Sequence, residues 1–177
     1  FIPVGLSIDA PARRVYWTDP VFGRIQRAQL DGAGLEVFQT GLAGPQDVAV
    51  DHVLARVYWT EGSAGIRHAP TSGGPPATLV SPFTGSASVV AQSPLPCQVV
   101  WRAANRRTRT GCLALGPQDI VLAPGTGVGL AIHPDSGAVF WTDADAGTIR
   151  RLDEGNGADQ VVLAGLTMPW RLALGPR

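Results

Sequence analysis

The groups in this chain that could do chemistry are few: His52, His68 and His133, the thiols Cys97 and Cys112, and fourteen acidic residues. A metal site needs three or four convergent ligands, and a general base needs a partner that orients it. No histidine has another ligand or a carboxylate at a spacing that would make such a set. Gly-x-Ser-x-Gly, a phosphate loop and a Cys–His pair are all missing from the sequence. No metal, no cofactor and no catalytic residue is therefore expected, and the chain is expected not to be an enzyme.

The elements that carry these residues follow from an internal repeat. Trp17, Trp59, Trp101 and Trp141 stand 42, 42 and 40 residues apart. Around them are Val15-Tyr16-Trp17-Thr18-Asp19, Val57-Tyr58-Trp59-Thr60-Glu61, Val99-Val100-Trp101-Arg102 and Val139-Phe140-Trp141-Thr142-Asp143. Eleven residues before each Trp is an apolar centre: Leu6, Val48, Val90 and Leu130. After three of them come a turn and a Gly-led segment, as in Gly23-Arg24-Ile25-Gln26-Arg27. An apolar run closes each repeat. The runs are short and rich in Val, Ile, Thr and aromatics, which marks strands, and they are punctuated by Gly, Pro and Asp. Alternation places Val15, Trp17 and Asp19 on one face of a strand and Tyr16 and Thr18 on the other. Large side chains on both faces require a sheet covered on both sides. Four strands per repeat at a period near 40 predict an all-β β-propeller of four-stranded antiparallel blades.

The predicted repeats cover about 2–43, 44–85, 86–126 and 127–167, within one domain over 1–177. The first-strand motif returns a fifth time in Met168-Pro169-Trp170-Arg171-Leu172-Ala173-Leu174, so a leftover inner strand is expected over 168–176. Four blades plus one strand of a fifth describe a partial propeller, or one completed by a second copy.

Tyr-Trp-Thr-Asp, followed by Gly-x-Ile-x-Arg and by Leu30-Asp31-Gly32, resembles the class B (YWTD) repeats of the low-density-lipoprotein receptor family and their secreted bacterial relatives. The resemblance is strongest in the first and fourth repeats and weakest in the third. It implies a ring closed with six blades, aromatics packed between blades, and motif carboxylates bonded to neighbouring backbone. Tyr16, Trp17, Thr18, Asp19, Tyr58, Trp59, Thr60, Glu61, Trp101, Phe140, Trp141, Thr142 and Asp143 are thus expected to be structural.

Function is expected where the repeats disagree. The residues that begin the inner strands ring one mouth of the central channel, a usual ligand surface in related receptor propellers. Gln46, Asp47, Trp170 and Arg171 are the candidate ligand residues there, and Asp47 beside an exposed Trp170 would suit a cationic peptide. The third repeat replaces the motif with Arg102, Arg106, Arg107 and Arg109, an alternative basic site for an acidic partner or simply a solvated hairpin tip. Cys97 and Cys112 are centred on 104.5, the predicted hairpin tip, and face each other across two strands; a disulfide is expected, the alternative being two buried thiols. A disulfide implies an oxidising compartment.

Charge excludes little beyond this. Fourteen basic residues, every one Arg, balance fourteen acidic ones, so nothing global points to nucleic acid. No apolar run is long enough to span a bilayer. The expectation is a protein- or peptide-binding module that is secreted or faces the extracellular or periplasmic side. The alternatives are a metal-dependent lactone hydrolase- or lyase-like propeller and a purely structural assembly unit.

Overall fold

The computed structural model describes residues 2–62, 64–80, 86–92, 98–103, 107–112, 116–124, 129–133, 135–152, 159–169 and 172–173; for residues 80, 86–87, 90, 92, 98–103, 107–112 and 116–124 it describes the backbone alone. Sixteen strands form four four-stranded antiparallel sheets, each in sequence order. The first blade holds β1 (Leu6–Asp9), β2 (Arg14–Asp19), β3 (Arg24–Gln29) and β4 (Glu36–Gln39). The second holds β5 (Pro45–Asp51), β6 (Arg56–Glu61), β7 (Gly65–Pro70) and β8 (Ala77–Val80). The third holds β9 (Ser86–Gln92), β10 (Gln98–Ala103), β11 (Arg107–Cys112) and β12 (Gly116–Pro124). The fourth holds β13 (Leu130–Ile132), β14 (Val139–Asp143), β15 (Thr148–Leu152) and β16 (Asp159–Leu163). This is the β-propeller the repeat predicts, and first strands pack on one another in chain order, β1 on β5, β5 on β9, β9 on β13.

Register fixes which face each side chain takes. Trp17 lies opposite Leu6 and Gln26, Trp59 opposite Val48 and Arg67, and Trp141 opposite Leu130 and Arg150. In the third blade the ladder pairs Trp101 with Val89, not with the Val90 that a strict spacing of eleven selects. The segment between β9 and Trp101 is therefore one residue longer than in its sister blades. Val89 takes the place of Val48 and is buried.

The Tyr faces of the first and second blades pack on the Trp faces of the second and third. Tyr16, Ile25, Phe38 and Leu42 form one core with Val48, Val57, Trp59 and Ala69. Tyr58, Ile66, Leu79 and Ala49 form the next with Val89 and Ala91. Side chains hold the outer strands together: Gln39 donates to the Gly74 carbonyl at 2.8 Å, and Arg27 donates to that of Thr71. Among the described residues, nothing covers the first blade's own Trp face in this way. Leu6 and Ile8 are 60% and 55% exposed, whereas Val48, in the place of Leu6, is 3% exposed.

Of the strand expected over 168–176, the described residues are Met168, Pro169, Leu172 and Ala173, and none is strand-paired. Leu172 nonetheless lines the channel beside the four inner strands. The third-blade hairpin pairs Val99 with Gly111, so it is centred on 105, half a residue beyond the centre that a Cys97–Cys112 pair expects. Cys97 itself lies outside the described residues, and only the backbone of Cys112 is described.

Candidate functional site

The motif side chains are occupied in holding blades together. Thr18 Oγ1 accepts from Gly5 N at 2.8 Å and its hydroxyl donates to the Gln46 carbonyl of the next blade at 2.9 Å. Thr60 and Thr142 accept from Asp47 N and Gly129 N in the same way, each at 3.0 Å. Threonine suits a strand and supplies a hydroxyl that both accepts and donates, so one side chain links an inner strand to its neighbour. Asp19 accepts from Phe22 N and from Arg24, and Asp143 accepts from Ala146 N. Glu61 is one methylene longer and reaches further. It accepts from Ala43 N at 2.7 Å, from the Trp59 indole at 3.1 Å and from Arg67 at 3.3 Å. The indole N–H groups of Trp17 and Trp141, beside the shorter aspartates, have no such acceptor.

The channel mouth is built from the beginnings of the inner strands. A cavity of about 240 Å³ is lined by residues of β1, β5, β9 and β13, with Gly129 and Leu172. Asp47 lines it but serves the frame. Its Oδ2 accepts from the Ser88 hydroxyl and from Val89 N, both at 2.9 Å, and its Oδ1 accepts from Val48 N at 3.0 Å. Asp47 thus staples β5 to β9, as Ser7 staples β1 to β5 by accepting from Val50 N at 3.1 Å. A Cβ on Gly5 would stand 2.6 Å from Asp47 Cα, so this close approach requires glycine. Gln46 gives its carbonyl to Thr18 and its amide to the Gly44 carbonyl at 3.4 Å. Trp170 and Arg171 lie outside the described residues, as does Arg106; Arg102, Arg107 and Arg109 are described as backbone on β10 and β11.

The histidines do not converge. His52 is exposed in the turn after β5, His133 follows β13, and His68 is buried on β7 with its ring centroid 5.8 Å from that of Tyr58. Burial, with help from the Arg56 charge, holds His68 below the ordinary histidine range. Burial also pushes the Tyr58 hydroxyl up to about 12; Asp51 adds to the shift and Arg56 opposes it. Among the described residues, no group of three or more His, Cys, Asp or Glu is placed to hold a metal.

Sequence reasoning missed the tip of the β2–β3 hairpin. Val21 and Phe22 are 63% and 59% exposed there. The Arg24 guanidinium lies 4.8 Å from the Phe22 ring centroid and is held by the buried Asp19 at 3.3 Å. The tip is anchored by the Leu42 N to Gly23 carbonyl bond of 2.9 Å. The signal was available by comparing repeats: the second blade has Gly62 and Ala64 at this turn, and the fourth has Ala144-Asp145-Ala146.

Residues 13–52 match the low-density lipoprotein receptor repeat class B. A comparison with curated protein sequences gives no match. Among solved structures, the nidogen propeller of a nidogen/laminin complex superposes with a TM-score of 0.84 at 25% identity, over 96% of this chain and 67% of that one. A gluconolactonase from Xanthomonas campestris gives 0.70 at 17% identity, over 89% of this chain and 60% of that one. Virginiamycin B lyase from Staphylococcus aureus gives 0.73 at 13% identity, over 97% and 59%. The two enzymes share the fold, and this chain spans about three fifths of their length. The chain is a β-propeller of four-stranded blades that carries a low-density lipoprotein receptor class B repeat at residues 13–52.

Proposed function

We propose that the chain is a protein- or peptide-binding propeller module and not an enzyme, working on the extracellular or periplasmic side of a membrane. The observation that carries this reading is where the polar groups are spent. The motif hydroxyls and carboxylates, and Asp47 at the channel mouth, all bond to strands, turns and neighbouring blades. What varies from blade to blade is the rim, and a rigid frame with variable rim loops suits recognition. The likeness to nidogen in its laminin complex supports a protein partner. The described residues include no helix long and apolar enough to cross a membrane.

The likeness to a gluconolactonase and a lyase favours the second reading, a metal-dependent hydrolase or lyase. Assays against a lactone panel with added Ca²⁺, Mg²⁺, Mn²⁺ or Zn²⁺ separate the two. The binding reading expects no turnover above background. A metal-dependent rate that disappears on Asp47→Asn would replace it with the enzyme reading.

A further inference from the structure

The β2–β3 hairpin tip of the first blade combines three properties that together suit a binding anchor. An apolar pair, Val21 and Phe22, faces solvent. The backbone beneath it is fixed: Phe22 N donates to Asp19 Oδ1 at 3.3 Å, and Gly23 has φ +57° with its carbonyl bonded to Leu42 N. The ring is backed by a cation, since Arg24 sits at 4.8 Å and its other contact is the fully buried Asp19. An exposed aromatic normally loses rotamer freedom when a partner orders it. Here the turn and the guanidinium pre-order it, which is how aromatic anchors at interfaces avoid that loss.

Charge names the other half of the partner. The Arg24 side chain is 29% exposed; its Nε is buried without a partner, and Nη2 bonds to Asp19. A guanidinium presents five N–H donors in a planar fork; with Nε buried and one Nη contact to Asp19, the remaining Nη donors suit a carboxylate. The described sister hairpins lack the apolar half: the second blade keeps an Arg67–Glu61 pair but has Gly62 and Ala64 at this turn, and the fourth has Ala144-Asp145-Ala146. We propose that Val21, Phe22 and Arg24 form an anchor site for an acidic–apolar segment of a partner protein, in which a Leu, Ile or aromatic side chain packs on Phe22 and a neighbouring Asp or Glu meets Arg24. The site deepens the binding-module reading and rests on it.

The test selects a phage-displayed random dodecapeptide library on the immobilised chain, then measures the enriched peptides against variants by calorimetry. The expected peptides carry a carboxylate within two residues of a large apolar side chain. Phe22→Ala weakens them at least about tenfold, and Arg24→Gln weakens the acidic peptides while leaving their Asn or Gln versions unchanged. Phe22 is mostly exposed, so far-UV circular dichroism of Phe22→Ala should match the parent; Val21→Ser is the second variant if it does not. Failure to enrich any peptide overturns the site. Peptides that bind but are indifferent to Phe22, Val21 and Arg24 also overturn it, while leaving the binding-module reading intact.

Discussion

Trp59 and Trp17 occupy the same place in successive blades, yet deleting them should have different costs. Trp59 is 0% exposed and packs among Tyr16, Ile25, Phe38, Val48 and Val57. Truncating a buried residue of this size costs roughly 3–5 kcal/mol. Losing the indole bond to Glu61 adds little, because that carboxylate keeps Arg67 and Ala43 N. Trp17 faces the uncovered side of the first blade, where Leu6 and Ile8 are mostly exposed, and its indole has no acceptor to lose. Its buried area is the smaller, so Trp17→Ala should cost about 1–3 kcal/mol. The assay is urea unfolding followed by circular dichroism at low micromolar concentration, with the difference between the two variants as the readout. Equal costs at that dilution would refute the reasoning, because they would require the Trp17 face to be covered in the isolated chain. Repeating the series at roughly hundredfold higher concentration tests the second-copy alternative. If another copy covers this face, the cost of Trp17→Ala rises with concentration while that of Trp59→Ala does not.

Three further outcomes are expected. Gly23→Ala should destabilise by at least about 2 kcal/mol, since φ is +57° and the new Cβ would lie 2.4 Å from the Leu42 carbonyl oxygen, whereas Gly32→Ala, with open space around it, should show the φ penalty alone, about 1–2 kcal/mol in chemical denaturation. His68 is held below its unfolded value of 6.5, so the folded state binds fewer protons. Its penalty is absent well above about pH 6.5 and grows as pH falls below it toward the folded value, so His68→Gln should flatten the fall in thermal midpoint as pH drops below about 6.5. Titration of the denatured, unreduced protein should find no free thiol if Cys97 and Cys112 are paired in an oxidising compartment; two reactive thiols would remove that argument for secretion.

The frame was legible because it repeats. Four Trp-centred motifs at near-equal spacing give the strands, their faces and the blade number, since period-two alternation and a period near 40 are both written in side-chain type. The shift at Val89 was not legible, because spacing locates a strand to within a residue and pairing decides the rest. The part Asp47 plays in the frame was hidden for a related reason. A carboxylate at a channel mouth reads as a ligand, but the sequence does not show that Ser88 and Val89 N, 41 and 42 residues further on, would claim its Oδ2. Hydrogen bonds between blades depend on how sheets are juxtaposed, and a local pattern holds no record of that.

The same contrast bears on where a partner should be sought. A ligand that bonds to Asp47 Oδ2 must share an oxygen already accepting from two protein donors, and displacing either would leave a polar group of the frame unpaired. A ligand that packs on Phe22 displaces only water, and the Asp19–Arg24 pair beneath the ring stays intact. The charge of Asp47 at the channel mouth is thus committed to the frame, and the proposed anchor lies on a described hairpin tip where the repeat exchanges small or polar residues for an aromatic on a cation. Substitutions at Asp47 should accordingly lower stability first and affinity second, whereas substitutions at Phe22 should lower affinity alone.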